Sequence, residues 1–102
     1  MNTIAIEVTE QQEKIDADVI ESWCVNYIAR TLDIPPDEID PKDEFHTFGL
    51  DSAIATAMIL DLEDWLRIDV PPSVIFEQVT ISNLVVDLMI RLKMVESGRK
   101  VA

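Results

Sequence analysis

The chain is poor in the residues that cross-link or punctuate a small protein. Among its 102 residues there is one cysteine, Cys24, and there are two glycines. One cysteine cannot close an intramolecular disulfide, so no covalent framework is expected, and the usage suits a reducing compartment. So little glycine beside an apolar fraction of 48% argues against disorder and for a folded helical chain. Bases are also scarce, 8 against 20 acids, which leaves a net charge of −12. That sign opposes a phosphate backbone and argues against nucleic-acid binding; it favours partners with basic docking surfaces. No run approaches the roughly 18 apolar residues of a membrane span. The N-terminus has no basic segment followed by an apolar core, so neither a membrane anchor nor a signal peptide is expected, and the reading is cytoplasmic. The lone His46 has no partner His or Cys, a poor basis for a metal site. The length allows one domain with a modest core.

Charge is unevenly placed. Residues 1–50 carry 12 acids against Lys14, Arg30 and Lys42, whereas residues 91–102 hold Arg91, Lys93, Arg99 and Lys100 against Glu96. Residues 1–15 read as a flexible tail or linker, with Ile4, Ile6 and Val8 giving only a weak strand alternation. The folded domain is expected over 16–95, with a basic tail over 96–102. The first helix spans about Asp16 to Leu32. Asp16 or Asp18 can cap it, and Ile20, Cys24, Tyr27, Ile28 and Leu32 form its apolar stripe, flanked by Trp23. No base neighbours Cys24 in sequence, so it reads as a buried structural thiol.

Pro35-Pro36 ends that helix, and Asp40-Pro41 favours a turn. The connection from Asp33 to Asp51 is long for a compact domain, and loops of that length are usually functional or disordered. Ile34, Ile39, Phe45, Phe48 and Leu50 are spaced through it like anchors, so it should be pinned across the helices, with Phe45 and Phe48 buried. The second helix opens at Ser52 and runs to about Leu66. Ala55, Met58, Ile59, Leu62 and Leu66 share one face. Ala53, Ala57 and Leu60 lie on the opposite side beside Asp61 and Asp64. A helix apolar nearly all round is either buried or meets a partner. Too few other elements exist to cover both faces, so the second face is expected to be exposed and to dock a partner. Pro71-Pro72 precedes a short helical turn over Ser73 to Glu77. Thr80 then caps a last helix with the stripe Ile81, Leu84, Val85, Leu88 and Leu92, and Gly98 marks its latest end.

At the centre stands Phe48-Gly49-Leu50-Asp51-Ser52. Taken alone, Asp51 or Ser52 reads as a helix cap. A phosphodiester on Ser52 would nonetheless sit where free backbone N–H groups and the helix dipole stabilise an anion. The flanking residues add a resemblance. Leu32-Asp33-Ile34 ending the first helix, the Gly-Leu-Asp-Ser junction, Val70-Pro71 before Ser73, and Ile75-Phe76-Glu77-Gln78-Val79-Thr80-Ile81 before Leu84 together resemble an acyl carrier protein over about Ile20 to Leu92. The resemblance implies an all-α fold of four helices, three long and one short, with a long loop between the first two. It implies 4′-phosphopantetheine on Ser52, with Asp51 helping to present the site and Leu50 anchoring the turn.

A carrier of this kind catalyses nothing. It is modified by a phosphopantetheinyl transferase from coenzyme A with Mg²⁺, holds acyl groups as thioesters, and serves acyl-loading, ketosynthase or other acyl-processing enzymes, here as a monomer. Ala53 stands where the family commonly has Leu, and Ala57 where bacterial fatty-acid carriers usually have an acid. That leans toward polyketide or related specialised biosynthesis, although Val79 replaces a Pro frequent in polyketide carriers. Two other readings compete. One is an acidic helical adaptor without a prosthetic group. The other is a peptidyl carrier, whose Gly-Gly-[His/Asp]-Ser pattern differs from Gly49-Leu50-Asp51-Ser52.

Overall fold

The computed structural model describes residues 15–101. Among these residues there are four α-helices: α1 (Ala17–Leu32), α2 (Ser52–Leu66), α3 (Val74–Glu77) and α4 (Ile81–Val101). Among the described residues there is no strand, only an isolated antiparallel bridge between Glu44 and Thr80. The expected all-α arrangement of three long helices and one short one is what forms.

Each boundary has a local cause. Asp16 is the N-cap of α1, its carboxylate accepting the Val19 N–H at 2.9 Å. At the other end Asp33 takes the left-handed conformation, φ 59°, which a short polar side chain tolerates, and its N–H reaches the Ala29 carbonyl. Pro35-Pro36 prevents any continuation. For α4, Thr80 Oγ1 accepts the Asn83 N–H at 3.1 Å, as the sequence suggests.

The stripes of the three long helices meet in one core. Ile20, Cys24 and Ile28 of α1, Met58, Ile59 and Leu62 of α2, and Ile81, Leu84 and Leu88 of α4 are fully buried. Full burial of such a side chain stabilises by about 1.5–3 kcal/mol each. Tyr27 and Leu32 are only half-buried, at the rim of the α1 stripe. Trp23 is stacked between Tyr27, with ring centroids 5.1 Å apart, and Trp65, 5.4 Å away. This aromatic stack stitches α1 to α2 on the outside of the core. Cys24 is a free buried thiol; burial first and the nearby Glu21 charge second push its pKa up to about 12. It stays protonated at neutral pH and is a packing residue.

The long connection is pinned, as its apolar anchors require. It holds two 3₁₀ turns, Pro36–Glu38 and Phe45–Phe48. Ile39 and Phe45 are buried. The Phe45 N–H donates to the Val79 carbonyl at 2.8 Å, and the Ser82 N–H donates to the Pro41 carbonyl at 3.0 Å. Both bonds fasten the connection to the start of α4.

Three expectations need correction, and one buried segment was not foreseen. Phe48 is half-buried, not buried like Phe45. Residues three apart in a 3₁₀ turn eclipse on one face, but the rise of about 2 Å per residue carries the second toward the rim. The helix α4 runs through Gly98 to Val101 instead of stopping there. A lone glycine costs a helix about 1 kcal/mol relative to alanine and does not by itself end it. Ile15, assigned to the tail, packs against the core. The rest of that tail, with its strand alternation, lies outside the described residues. Finally, Ile68 and Val70 join the core although neither falls on a helical stripe. Arg67 closes α2 in the left-handed conformation, φ 60°, and the Glu63 carboxylate accepts the Val70 N–H at 2.6 Å, which draws the segment inward.

Candidate functional site

The long connection delivers the chain to α2 through one tight reversal. Gly49 has φ 77°, a conformation that costs an L side chain, and its N–H donates to the His46 carbonyl at 3.0 Å. A Cβ there would meet nothing within 4 Å, so the requirement for glycine lies in the backbone and not in a close approach. Leu50 follows, half-buried against the core. Asp51 is the N-cap of α2: its side chain accepts the Ile54 N–H at 2.9 Å and its carbonyl the Ala55 N–H at 2.9 Å.

Ser52 is therefore the first residue of α2, and it is exposed. With the amides of Ile54 and Ala55 engaged by Asp51, those of Ser52 and Ala53 have no acceptor within the helix. They lie at the positive end of the dipole, in the same first turn as Ser52. An anion bonded to that oxygen fits here, which meets the requirement of a phosphodiester. Of the two capping candidates, Asp51 takes the cap and leaves the Ser52 hydroxyl free for chemistry.

Beside Ser52 opens a cleft of about 170 Å³. Leu50, Asp51, Ser52 and Ala55 line it from the connection and α2, and Phe45, His46, Ile75, Phe76 and Val79 complete it. Its walls are mostly apolar. His46 lies at its edge, its Nε2 2.5 Å from Glu44 Oε1. Phe76, on the short α3, is 68% exposed, unusual for a phenylalanine in so small a domain. Sequence reasoning assigned Ser52, Asp51 and Leu50 to this site but missed the cleft. Its far wall comes from α3 and the residues after it, more than twenty positions downstream. The available signal was Phe76, which no helical stripe explains.

The two faces of α2 separate as expected. Ala55, Met58, Ile59, Leu62 and Leu66 are all buried. Ala53, Ala57, Leu60, Asp61 and Asp64 are all exposed, Leu60 by 52%. These five form the outward face; Ser52, exposed as the first residue of the helix, lies round the axis from them, nearer the flank of the buried stripe. Asp61 also bears on Tyr27: burial first, then the Asp61 carboxylate, raises that phenol above the ordinary tyrosine value. No group of three or more potential metal ligands occurs among the described residues, and no described helix is long and apolar enough to cross a membrane.

Comparison with known proteins bears on the site directly. The family described as "Phosphopantetheine attachment site" matches residues 22–86. The acyl carrier protein TtuC of Teredinibacter turnerae is 39% identical over 51 residues, covering 50% of this chain and 59% of that protein. The polyketide synthase PksN of Bacillus subtilis is 32% identical over 84 residues, 79% of this chain but 2% of the synthase. The chain thus spans less than two thirds of either curated relative. Among solved structures, a free-standing peptidyl carrier protein from a secondary metabolic pathway of Acinetobacter baumannii superposes with a TM-score of 0.72 at 28% identity, covering 76% of this chain and 96% of that one. An acyl carrier protein from Anabaena with a variant phosphopantetheinylation-site sequence gives 0.68 at 33%, covering 74% and 85%. The HMG-ACPI domain of the CurA module from Lyngbya majuscula gives 0.68 at 16% identity, covering 78% and 81%, and so speaks to the fold alone.

Proposed function

The chain belongs to the phosphopantetheine-attachment family of carrier domains, and we propose that Ser52 is the residue to which the arm is joined. The observation that carries this is the Ser52 hydroxyl, exposed at the start of α2 beside two amides that no helical carbonyl accepts. When bound, the group supplies a terminal thiol that holds an acyl chain as a thioester. The chain's own residues do the rest. The Ser52 oxygen becomes the ester link to phosphorus. The Ser52 and Ala53 amides, with the helix dipole, offset the phosphate charge. Asp51 holds the first turn of α2 in place by capping it. Leu50 seats the reversal so that the hydroxyl is presented outward. Cys24 takes no part, since its thiol is buried and protonated.

A phosphopantetheinyl transferase, using coenzyme A and Mg²⁺, is the enzyme that modifies Ser52. Acyl-loading, ketosynthase or similar enzymes then meet the outward face of α2 at Ala53, Ala57 and Leu60, rimmed by Asp61 and Asp64. Apolar contact supplies affinity there, and the acids steer basic partners and orient them. The carrier domain acts as a monomer in the cytoplasm. Polyketide or related specialised biosynthesis is the setting favoured by the likeness to a polyketide synthase segment and by Ala57. A peptidyl carrier is the second reading, motivated by the free-standing peptidyl carrier protein among the structural neighbours. Loading with acyl against aminoacyl groups separates the two.

The decisive test is intact mass after incubation with coenzyme A, Mg²⁺ and a broad-specificity transferase. The native chain should gain one arm. Ser52→Ala should gain none while keeping its helical circular dichroism. A Ser52→Ala protein that still acquired the arm would end the assignment.

A further inference from the structure

The α4 helix buries one side and leaves hydrocarbon on the other. Ile81, Leu84 and Leu88 are fully buried, whereas Val86, Ile90 and Met94 are 60%, 54% and 64% exposed. These last three are spaced four apart and so form one row along the helix, turned away from the core. No described element covers the row. Its charge differs from that of the outward face of α2. The α2 helix has Asp61, Glu63 and Asp64 and no base, but α4 has Arg91, Lys93, Arg99 and Lys100 against Asp87 and Glu96. Arg91 is paired with Asp87 at 2.6 Å, and Lys93 stands exposed beside the row. A complementary occupant is therefore apolar and acidic, not basic.

Contacts at the two ends of the bundle locate the start of the chain relative to this row. Trp23 of α1 stacks on Trp65 of α2, and Tyr27 adjoins Asp61, so these two helices run antiparallel. Val79, just before α4, shares the cleft with Ser52 and Ala55, and Val95 shares a surface groove with Leu60 and Arg67. The helices α2 and α4 thus run parallel. The N-terminus of α1 then lies at the same end as the C-terminal half of α4, away from Ser52. Ile15, one residue before the α1 cap, packs against the core, so the chain that precedes it sets out from that end.

Residues 1–14 carry what the row requires. Ile4, Ile6 and Val8 are apolar, and Glu7, Glu10 and Glu13 outnumber Lys14. An extended chain places Ile4, Ile6 and Val8 on one side. The stretch from Ile4 to Ile15 can reach up to about 36 Å, while the row from Val86 to Met94 is only about 12 Å long. Apolar groups on both partners leave water together when they meet. The covalent tether makes the contact intramolecular, so a small area suffices. We propose that residues 1–14 of this chain dock on α4, with Ile4, Ile6 and Val8 covering Val86, Ile90 and Met94 and with Glu7 and Glu10 drawn toward Lys93. Docking withdraws the α4 row from solvent and leaves the outward face of α2 open to partners. It also holds the N-terminal segment at the end of the bundle away from Ser52, so it is compatible with attachment there and does not depend on it.

The test uses the full chain with ¹³C-labelled isoleucine, valine and methionine methyl groups. Nuclear Overhauser contacts should join the methyls of Ile4, Ile6 and Val8 to those of Val86, Ile90 and Met94, with an intensity independent of protein concentration. The full-length triple variant Ile4→Ser, Ile6→Ser, Val8→Ser should lose these contacts while melting close to the native chain. Its Ile90 and Met94 methyls should then relax several-fold faster in the presence of a soluble paramagnetic agent. Ile90→Ser gives the reciprocal reading, with the Ile4 and Ile6 methyls becoming several-fold more accessible to the same agent. Unchanged relaxation in both variants would overturn the proposal, as would contacts from Ile4, Ile6 and Val8 to a different face of the domain. Contacts found only between differently labelled chains, growing with concentration, would overturn it as well and make a second copy the occupant of α4.

Discussion

The inner and outer faces of α2 both carry alanine and leucine, and those residues have opposite fates. Leu62 is fully buried and Leu60, two positions earlier, is 52% exposed. Both are leucines on one regular helix, so neither hydrophobicity nor helix propensity separates them. What separates them is the number of neighbours. The α1 and α4 stripes cover one side of α2, and no described element buries the other. The comparison teaches that hydrophobicity on a helix does not by itself fix burial, and the uncovered face is the one we propose for docking. Ala53 and Ala57 fit that reading, since small side chains give a partner close access to the helix beside Ser52.

The comparison can be broken by mutation. The largest effect is expected from the inner face: Leu62→Ala should cost ~2–5 kcal/mol, a loss readable as a shifted midpoint in chemical denaturation. Near-native stability would mean the inner stripe is not the core. An intermediate effect is expected where the two faces begin. Asp51→Ala removes the cap and should cost about 1 kcal/mol, with a matching loss of helical signal in the first turn by amide exchange. No loss would show that the α2 terminus is held by Leu50 and the cleft alone. The smallest stability effects are expected outside.

Leu60→Ala should change stability by only about 0.5 kcal/mol yet slow arm transfer or acyl transfer several-fold. A large stability loss with normal kinetics would move Leu60 into the core. Asp61→Lys should weaken transfer most at low salt, because exposed charges act mainly through screened attraction. Melting close to native is expected for it, and titration of Tyr27 should move back toward the ordinary tyrosine value once the neighbouring carboxylate is gone. Salt-independent kinetics would take Asp61 out of the docking face and leave it as a neighbour of Tyr27.

Much of this was legible along the chain because the helices obey short-range rules. The α2 stripe, the α1 cap at Asp16 and the α4 cap at Thr80 follow from side-chain period and from local hydrogen bonds between residues three apart. The Ser52 junction was legible for the same reason. Gly49, Asp51 and Ser52 are consecutive enough for one turn and one cap to define them. Phe48 shows where that reasoning thins. An apolar residue in a loop has no period to assign its depth, so the sequence could not rank it against Phe45. Ile68 and Val70 were missed because a carboxylate seven positions back, Glu63, holds the segment inward. Gly98 was overvalued, since glycine permits a helix end without compelling one.

What the sequence alone determined is the set of elements and the chemistry at their junction: three amphipathic helices, a pinned acidic connection, and a serine hydroxyl at a helix N-terminus. These depend on neighbours within a few positions, whose geometry the backbone dictates. Only the tertiary structure decided which apolar residues stay in water and which enclose space. Leu60 and Phe76 are exposed because none of the described elements covers them. The cleft beside Ser52 exists because Phe45, Ala55 and Val79, far apart in the chain, are brought together by packing that no local pattern encodes.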